Sequence, residues 1–291
     1  MSLFIGSGVA LVTPLDAEGI NIATLNQLIE WHINHQTDAL IVGGTTGEAS
    51  TLTDAEKEVL FTEAVKAARG RIPVIAGTGS NDTAHAIALS QMAEKCGVDG
   101  LLIVTPYYNK CTQKGLIEHY KSIAAAVKCP IILYNVPSRT GLNLMPTTVA
   151  QLAQIENIIG IKEASADITQ IVELFRQLGT LDFDVYSGND DHILPLLALG
   201  AKGVITTVGN VLPTETHHIV SFYNQGELEL ARQLQFKINP LVQALFAEVN
   251  PIPVKAAVSH LGFNVGSVRL PLTPEEPETL SRIVRELAMF S

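Results

Sequence analysis

Lys162 closes a run of apolar residues, Ile158-Ile159-Gly160-Ile161. A lysine at the end of a buried strand loses hydration, and desolvation favours the neutral amine. The neutral amine is the nucleophile that condenses with a carbonyl to give an imine. Four further segments place hydroxyls, glycines or a guanidinium just after an apolar run. They are Gly43-Gly44-Thr45-Thr46-Gly47-Glu48, Thr105-Pro106-Tyr107-Tyr108-Asn109, Tyr134-Asn135-Val136-Pro137-Ser138-Arg139 and Ser187-Gly188-Asn189. Tyr134 and Tyr108 are candidates to relay protons, with Thr45 as their hydrogen-bond partner. The Thr45 and Thr46 hydroxyls and the N–H groups of their glycine-rich turn suit a carboxylate. Arg139 offers a planar fork for a second carboxylate.

Each residue type also has a structural use. A strand-end lysine can extend its head group into an ion pair. A tyrosine can be a packed ring with its hydroxyl satisfied. Glycines serve tight turns, and Arg139 can be a surface charge. Residue type alone leaves both readings open, and position in the fold separates them.

Eight short apolar runs mark the chain: Val9–Thr13, Ala39–Val42, Ile72–Ala76, Gly100–Thr105, Pro130–Tyr134, Ile158–Lys162, Asp184–Ser187 and Gly203–Thr207. Continuous apolar strands suit a parallel sheet covered by helices. Helical periodicity fills the gaps, as in Leu116, Tyr120, Ile123 and Val127, or Ile22, Leu25, Ile29 and Ile33. Thr53 with Glu56 predicts a capping box. Strand then helix, eight times, predicts an α/β chain: a (β/α)8 TIM barrel over residues 1–226. A doubly wound sheet fits less well, because no G-x-G-x-x-G opens a helix. Residues 227–291 predict a C-terminal helical extension. Its helices are Gly226–Phe246, Ile252–Leu261 and a last one capped by Thr273 in Thr273-Pro274-Glu275-Glu276. In such a barrel, active residues gather at the C-terminal strand ends, where the candidates stand.

Composition narrows the classes. The 291 residues are 47% apolar and 16% charged, with a net charge of −10. That excludes a disordered chain. It also argues against nucleic acid or anionic membrane as a partner, since both need a basic footprint. Cys96, Cys111 and Cys129 form no C-x-x-C pair and no disulfide framework. No basic segment precedes an apolar one at the N-terminus, and no apolar run approaches about 18 residues. A cytoplasmic address is expected. The 8 histidines form no H-E-x-x-H, and His217 and His218 are adjacent on a predicted helix, so no metal is expected.

Taken together, these segments resemble the dihydrodipicolinate synthase family, in the superfamily that also holds N-acetylneuraminate lyase. The specific pieces are Gly43–Glu48, Thr105–Lys110, Tyr134–Gly141, Gly160–Ser165 and Asn250–Lys255, and the likeness runs from about Phe4 to the last helix. The resemblance implies a class I aldolase-type lyase of the diaminopimelate route to lysine. Lys162 would form a Schiff base with pyruvate, and the enamine would attack L-aspartate 4-semialdehyde. Thr45, Tyr134 and Tyr108 would relay protons, with Tyr108 reaching into the neighbouring subunit's site. Thr46, with Thr45, would hold the pyruvate carboxylate, Arg139 that of the aldehyde, and Gly188 and Ile205 would line the pocket. No cofactor is implied beyond the Lys162 adduct. The implied assembly is a homotetramer, a dimer of tight dimers. The alternative within the superfamily is a pyruvate-dependent aldolase of 2-keto-3-deoxy sugar acids or of N-acetylneuraminate, and Arg139 argues against it.

The resemblance also implies an effector site for lysine, at Ser50, Asn81, His85 and Tyr107, with Ala49, Asp54 and Lys57 nearby. His85 stands where inhibited members carry a carboxylate, and Lys57 adds a positive charge. Like charge disfavours a cationic ligand, so lysine is expected to inhibit weakly or not at all. Cys111 stands where the family usually has proline, which removes a φ constraint from that loop.

Overall fold

A computed structural model describes residues 2–290 of the chain. Eight parallel strands close into a barrel: β1 Gly6–Ala10, β2 Ala39–Val42, β3 Val74–Gly77, β4 Gly100–Val104, β5 Ile131–Asn135, β6 Ile158–Glu163, β7 Asp184–Ser187 and β8 Gly203–Thr206. Each strand pairs with its neighbours in sequence, and β1 pairs with β8 to close the ring. A closed ring leaves no exposed strand edge. The expected eight-stranded barrel is therefore the observed one.

The alternation of side chains builds two cores. Ile132, Tyr134, Tyr186 and Ile205 point inward and pack with Phe4, Ile41 and Ile75. Ile131, Leu133, Ile161 and Val185 point outward, into the larger core beneath the helices. Phe4 stacks on Tyr186 inside the barrel, with ring centres 4.4 Å apart, and the Tyr186 hydroxyl donates to the Phe4 carbonyl at 2.8 Å.

The helical layer comprises α1 Ile22–Asn34, α2 Asp54–Ala68, α3 Thr83–Cys96, α4 Gln113–Ala126, α5 Pro137–Thr140, α6 Pro146–Leu152, α7 Ile168–Leu178, α8 Ile193–Leu199 and α9 Pro213–Asn224. Thr53 and Glu56 make the expected reciprocal cap on α2. In α1 the buried stripe is Leu25, Leu28, Ile29 and His32, while Ile22 is exposed. Three helices follow: α10 Leu228–Leu245, α11 Ile252–His260 and α12 Pro277–Leu287. They pack on one another, and α10 also lies along α9.

The largest departures from the sequence expectation, three residues each, are at β1 and at the last helix. β1 starts at Gly6, three residues before the apolar run. Gly6 and Gly8 carry no side chain and so left no apolar pattern. A Cβ at Gly8 would lie 2.8 Å from Ile41 and Phe4, so close packing demands glycine there. The last helix starts at Pro277 with Glu276 as N-cap, so Thr273 is not its cap. A helix begun at Pro274 would carry Pro277 at its fourth position, where an N–H is needed and the ring clashes. The second proline therefore sets the start.

Candidate active site

Lys162 is the fifth residue of β6 and points into the barrel mouth. Its strand register pairs it with Tyr134 on β5 and with Tyr186 on β7. Its Nζ lies 4.5 Å from the centre of the Tyr134 ring. Lys162 is only 6% exposed. Burial alone does not single it out, because Lys57 and Lys255 are buried too. Those two face carboxylates: Lys255 Nζ lies 2.6 Å from Glu48, and Lys57 Nζ lies 4.0 Å from Asp54. Among the described residues, no carboxylate lies within 4.0 Å of Lys162 Nζ. The ion pair that would make Lys162 structural is absent among them. A buried amine that lines a cavity and lacks an ion-pair partner within 4.0 Å among the described residues makes Lys162 the candidate nucleophile.

That cavity, about 210 Å³, is lined by Thr45, Thr46, Tyr134, Arg139, Lys162 and Gly188, with Asn189, Thr207, Phe246 and Asn250. Gly188 must be glycine: a Cβ there would lie 2.6 Å from the Ala164 Cβ and 3.1 Å from the Lys162 Cε. Thr46 is buried, and its Oγ1 accepts from Asn250 Nδ2 at 2.9 Å, which leaves the Thr46 O–H to donate into the cavity. The Asn250 carbonyl accepts from Arg139 Nη2 at 3.2 Å. Asn250, between α10 and α11, thus joins the two anion-binding candidates. Asn250 lies far along the chain from both, and the folded tail brings it to the mouth.

Buried acids frame the lysine without pairing to it. Asp190 accepts from the backbone N–H groups of Thr207 at 3.1 Å and Val208 at 2.8 Å. Burial pushes its carboxyl up, opposed by the Thr206 hydroxyl, by these backbone hydrogen bonds and, more weakly, by Lys162. Glu163 is turned away from the cavity and accepts from Asn135 Nδ2 at 3.0 Å and Ser165 N at 2.6 Å. Burial pushes its carboxyl up as well.

A second cavity, about 340 Å³, adjoins the first and shares Thr45, Tyr134 and Arg139 with it. It extends to Ser50, Lys57, His85 and Tyr107. Asn81 Nδ2 donates to the Tyr107 carbonyl at 3.2 Å. Two candidates stand apart. Tyr108 is 89% exposed, with φ +72°, and does not line its own chain's cavity. Ile205 is fully buried in the barrel core and lines neither cavity.

Residues 3–289 match the model of the dihydrodipicolinate synthetase family. The chain belongs to that family. It is an enzyme of the lyase class. It is 56% identical over 274 residues to the 4-hydroxy-tetrahydrodipicolinate synthase of Caldicellulosiruptor bescii, covering 94% of this chain and 92% of the relative. The dihydrodipicolinate synthase structure from Thermotoga maritima superposes with a TM-score of 0.97 at 42% identity, covering 99% of both chains. A structure described as a monomeric dihydrodipicolinate synthase variant gives 0.96 at 42% identity, covering 98% of this chain and 96% of that one.

Proposed function

We infer that the chain is a 4-hydroxy-tetrahydrodipicolinate synthase and that Lys162 carries the reaction. The observation behind this is the buried Lys162 amine, without a carboxylate partner, opening on a cavity that also presents Thr45, Thr46, Tyr134 and Arg139. The amine adds to the pyruvate carbonyl carbon and water leaves, giving an imine. Loss of a methyl proton gives the enamine, whose carbon attacks the aldehyde of L-aspartate 4-semialdehyde. The amino group of that substrate then closes on the imine carbon, and Lys162 leaves as the free amine.

Tyr134 moves protons beside Lys162. Thr45 and Thr46 bind the pyruvate carboxylate by hydrogen bonds, and Arg139 binds the aldehyde's carboxylate from the rim. The imine is its own electron sink, so the reaction needs no dissociable cofactor. Tyr108 faces out of its own subunit and suits a part in a neighbour's site, which supports a tight dimer as the working unit. Barrel and tail, 1–226 and 227–291, work as one unit, because Asn250 of the tail reaches Thr46.

Among the described residues, no helix is long and apolar enough to cross a membrane. The acidic balance of the chain fits small carboxylates only because the anion sites are local. The reading is tested by coupling to a reductase that consumes the cyclic product. Turnover with aspartate semialdehyde supports it; cleavage of N-acetylneuraminate or a 2-keto-3-deoxy sugar acid in its place overturns it.

A further inference from the structure

The buried pair Lys255–Glu48 has no part in the chemistry above, yet it ends on the turn that carries Thr45 and Thr46. Both side chains are almost fully enclosed, 2% and 1% exposed. Lys255, on α11, also donates to the Ser267 carbonyl at 3.0 Å. The second Glu48 oxygen accepts from the Arg269 backbone N–H at 2.8 Å. Both anchors therefore lie in the tail.

Glu48 holds an unusual backbone state, with φ +57°. A side chain other than glycine is strained there and persists only where its surroundings hold it. Its N–H donates to the Thr45 carbonyl at 3.1 Å, and its own carbonyl accepts from Thr51 N at 3.0 Å. The left-handed residue thus closes the turn that aims the two threonines. A charge pair sealed from water needs accurate geometry, and removing one partner strands the other.

We propose that Lys255 and Glu48 are positioning residues for the pyruvate subsite: the tail holds the turn through this pair so that Thr45 and Thr46 face Lys162. The proposal rests on the Schiff-base reading of Lys162. It makes the tail part of the catalytic apparatus.

The test follows the pyruvate concentration that gives half-maximal borohydride trapping on Lys162. Glu48→Gln combined with Lys255→Met removes both charges and leaves no unpaired ion. The folded double variant should need at least about tenfold more pyruvate, since small misplacements of binding groups are costly. Its trapped fraction at saturating pyruvate should match the parent, because Lys162 is untouched. Lys255→Arg keeps the charge and should restore near-parental half-saturation. The cavity of about 340 Å³ lined by Lys255, Ser259, His260, Gly266 and Ser267 gives the guanidinium room.

Parental half-saturation in the folded double variant overturns the proposal. Should that variant fail to fold, Glu48→Asp decides. It keeps the charge but shortens the reach by one methylene, so a raised pyruvate requirement supports the proposal and an unchanged one overturns it. The parent separates the two claims: if it traps no pyruvate on Lys162, the Schiff-base reading itself fails.

Discussion

Tyr134 and Lys162 are register partners on adjacent parallel strands, and the lysine Nζ lies 4.5 Å from the centre of the tyrosine ring. Barrel pairing, rather than a flexible loop, holds the proposed nucleophile against its proposed proton-transfer partner. Rigid elements position such groups better than loops do. Tyr134→Phe should therefore keep the ring packing and melting temperature. Steady-state kinetics should show kcat down by about a hundredfold, the scale of one general acid–base contribution. A kcat within a factor of about two of the parent would remove Tyr134 from the relay.

Tyr108 points the other way, away from its own site. If it serves the neighbour's site, Lys162→Ala and Tyr108→Phe chains should complement each other. Each should be nearly inactive alone. In a mixed dimer, one site gathers an intact Lys162 and an intact Tyr108. Random mixing of equal amounts should restore about a quarter of parental activity, because about half the symmetric dimers are mixed and each has one good site. Activity no higher than the two separate preparations would place Tyr108 outside the site.

Effector response follows from the outer cavity. Its nearby carboxylate, Asp54, is already engaged by His85 Nε2 at 3.0 Å and Lys57 Nζ at 4.0 Å. An incoming lysine ammonium would meet a cation there rather than an unengaged acid. Titration of the coupled assay with lysine should show weak inhibition or none. Half-inhibition at sub-millimolar lysine would contradict this.

Stability should carry a histidine signature. His217 Nδ1 lies 2.9 Å from Asp38 Oδ2, and that hydrogen bond raises the His217 pKa above its usual 6.5. The folded state then holds the proton more tightly than the unfolded chain. The stabilisation is complete below the unfolded value and is lost as pH rises through the folded one. His32 and His119, held down to about 3 and about 4 by desolvation, act in the opposite sense. The informative quantity is therefore the difference in melting temperature between the parent and His217→Gln. That difference should shrink as pH rises past neutrality; a constant difference would rule the pair out as its source.

The barrel was legible because most strands are short apolar runs and the helices between them keep their period. Ala39–Val42 and Asp184–Ser187 match their expected limits residue for residue. What escaped was written in residues without a periodic pattern. Gly6 and Gly8 begin β1 by close packing, and Pro277 delays α12 by three residues. The site was legible to the same extent. Lys162, Thr45, Thr46, Tyr134, Arg139 and Gly188 stand at strand ends, and the structure brings them around one cavity. Asn250 and the Glu48–Lys255 pair depend on contacts separated by about 200 residues, 204 and 207. No local spacing reports contacts of that range. Three lysines are buried, and only the partners of each tell them apart.

The central claim is that the Lys162 amine forms an imine with pyruvate, and one measurement addresses it directly. The parent is incubated with pyruvate, reduced with borohydride, digested and mapped by peptide mass. The account predicts a single reduced pyruvate adduct on the peptide carrying Lys162, and its loss in Lys162→Ala that remains folded. An adduct on Lys255 or Lys57 instead, or no adduct at all, would contradict it.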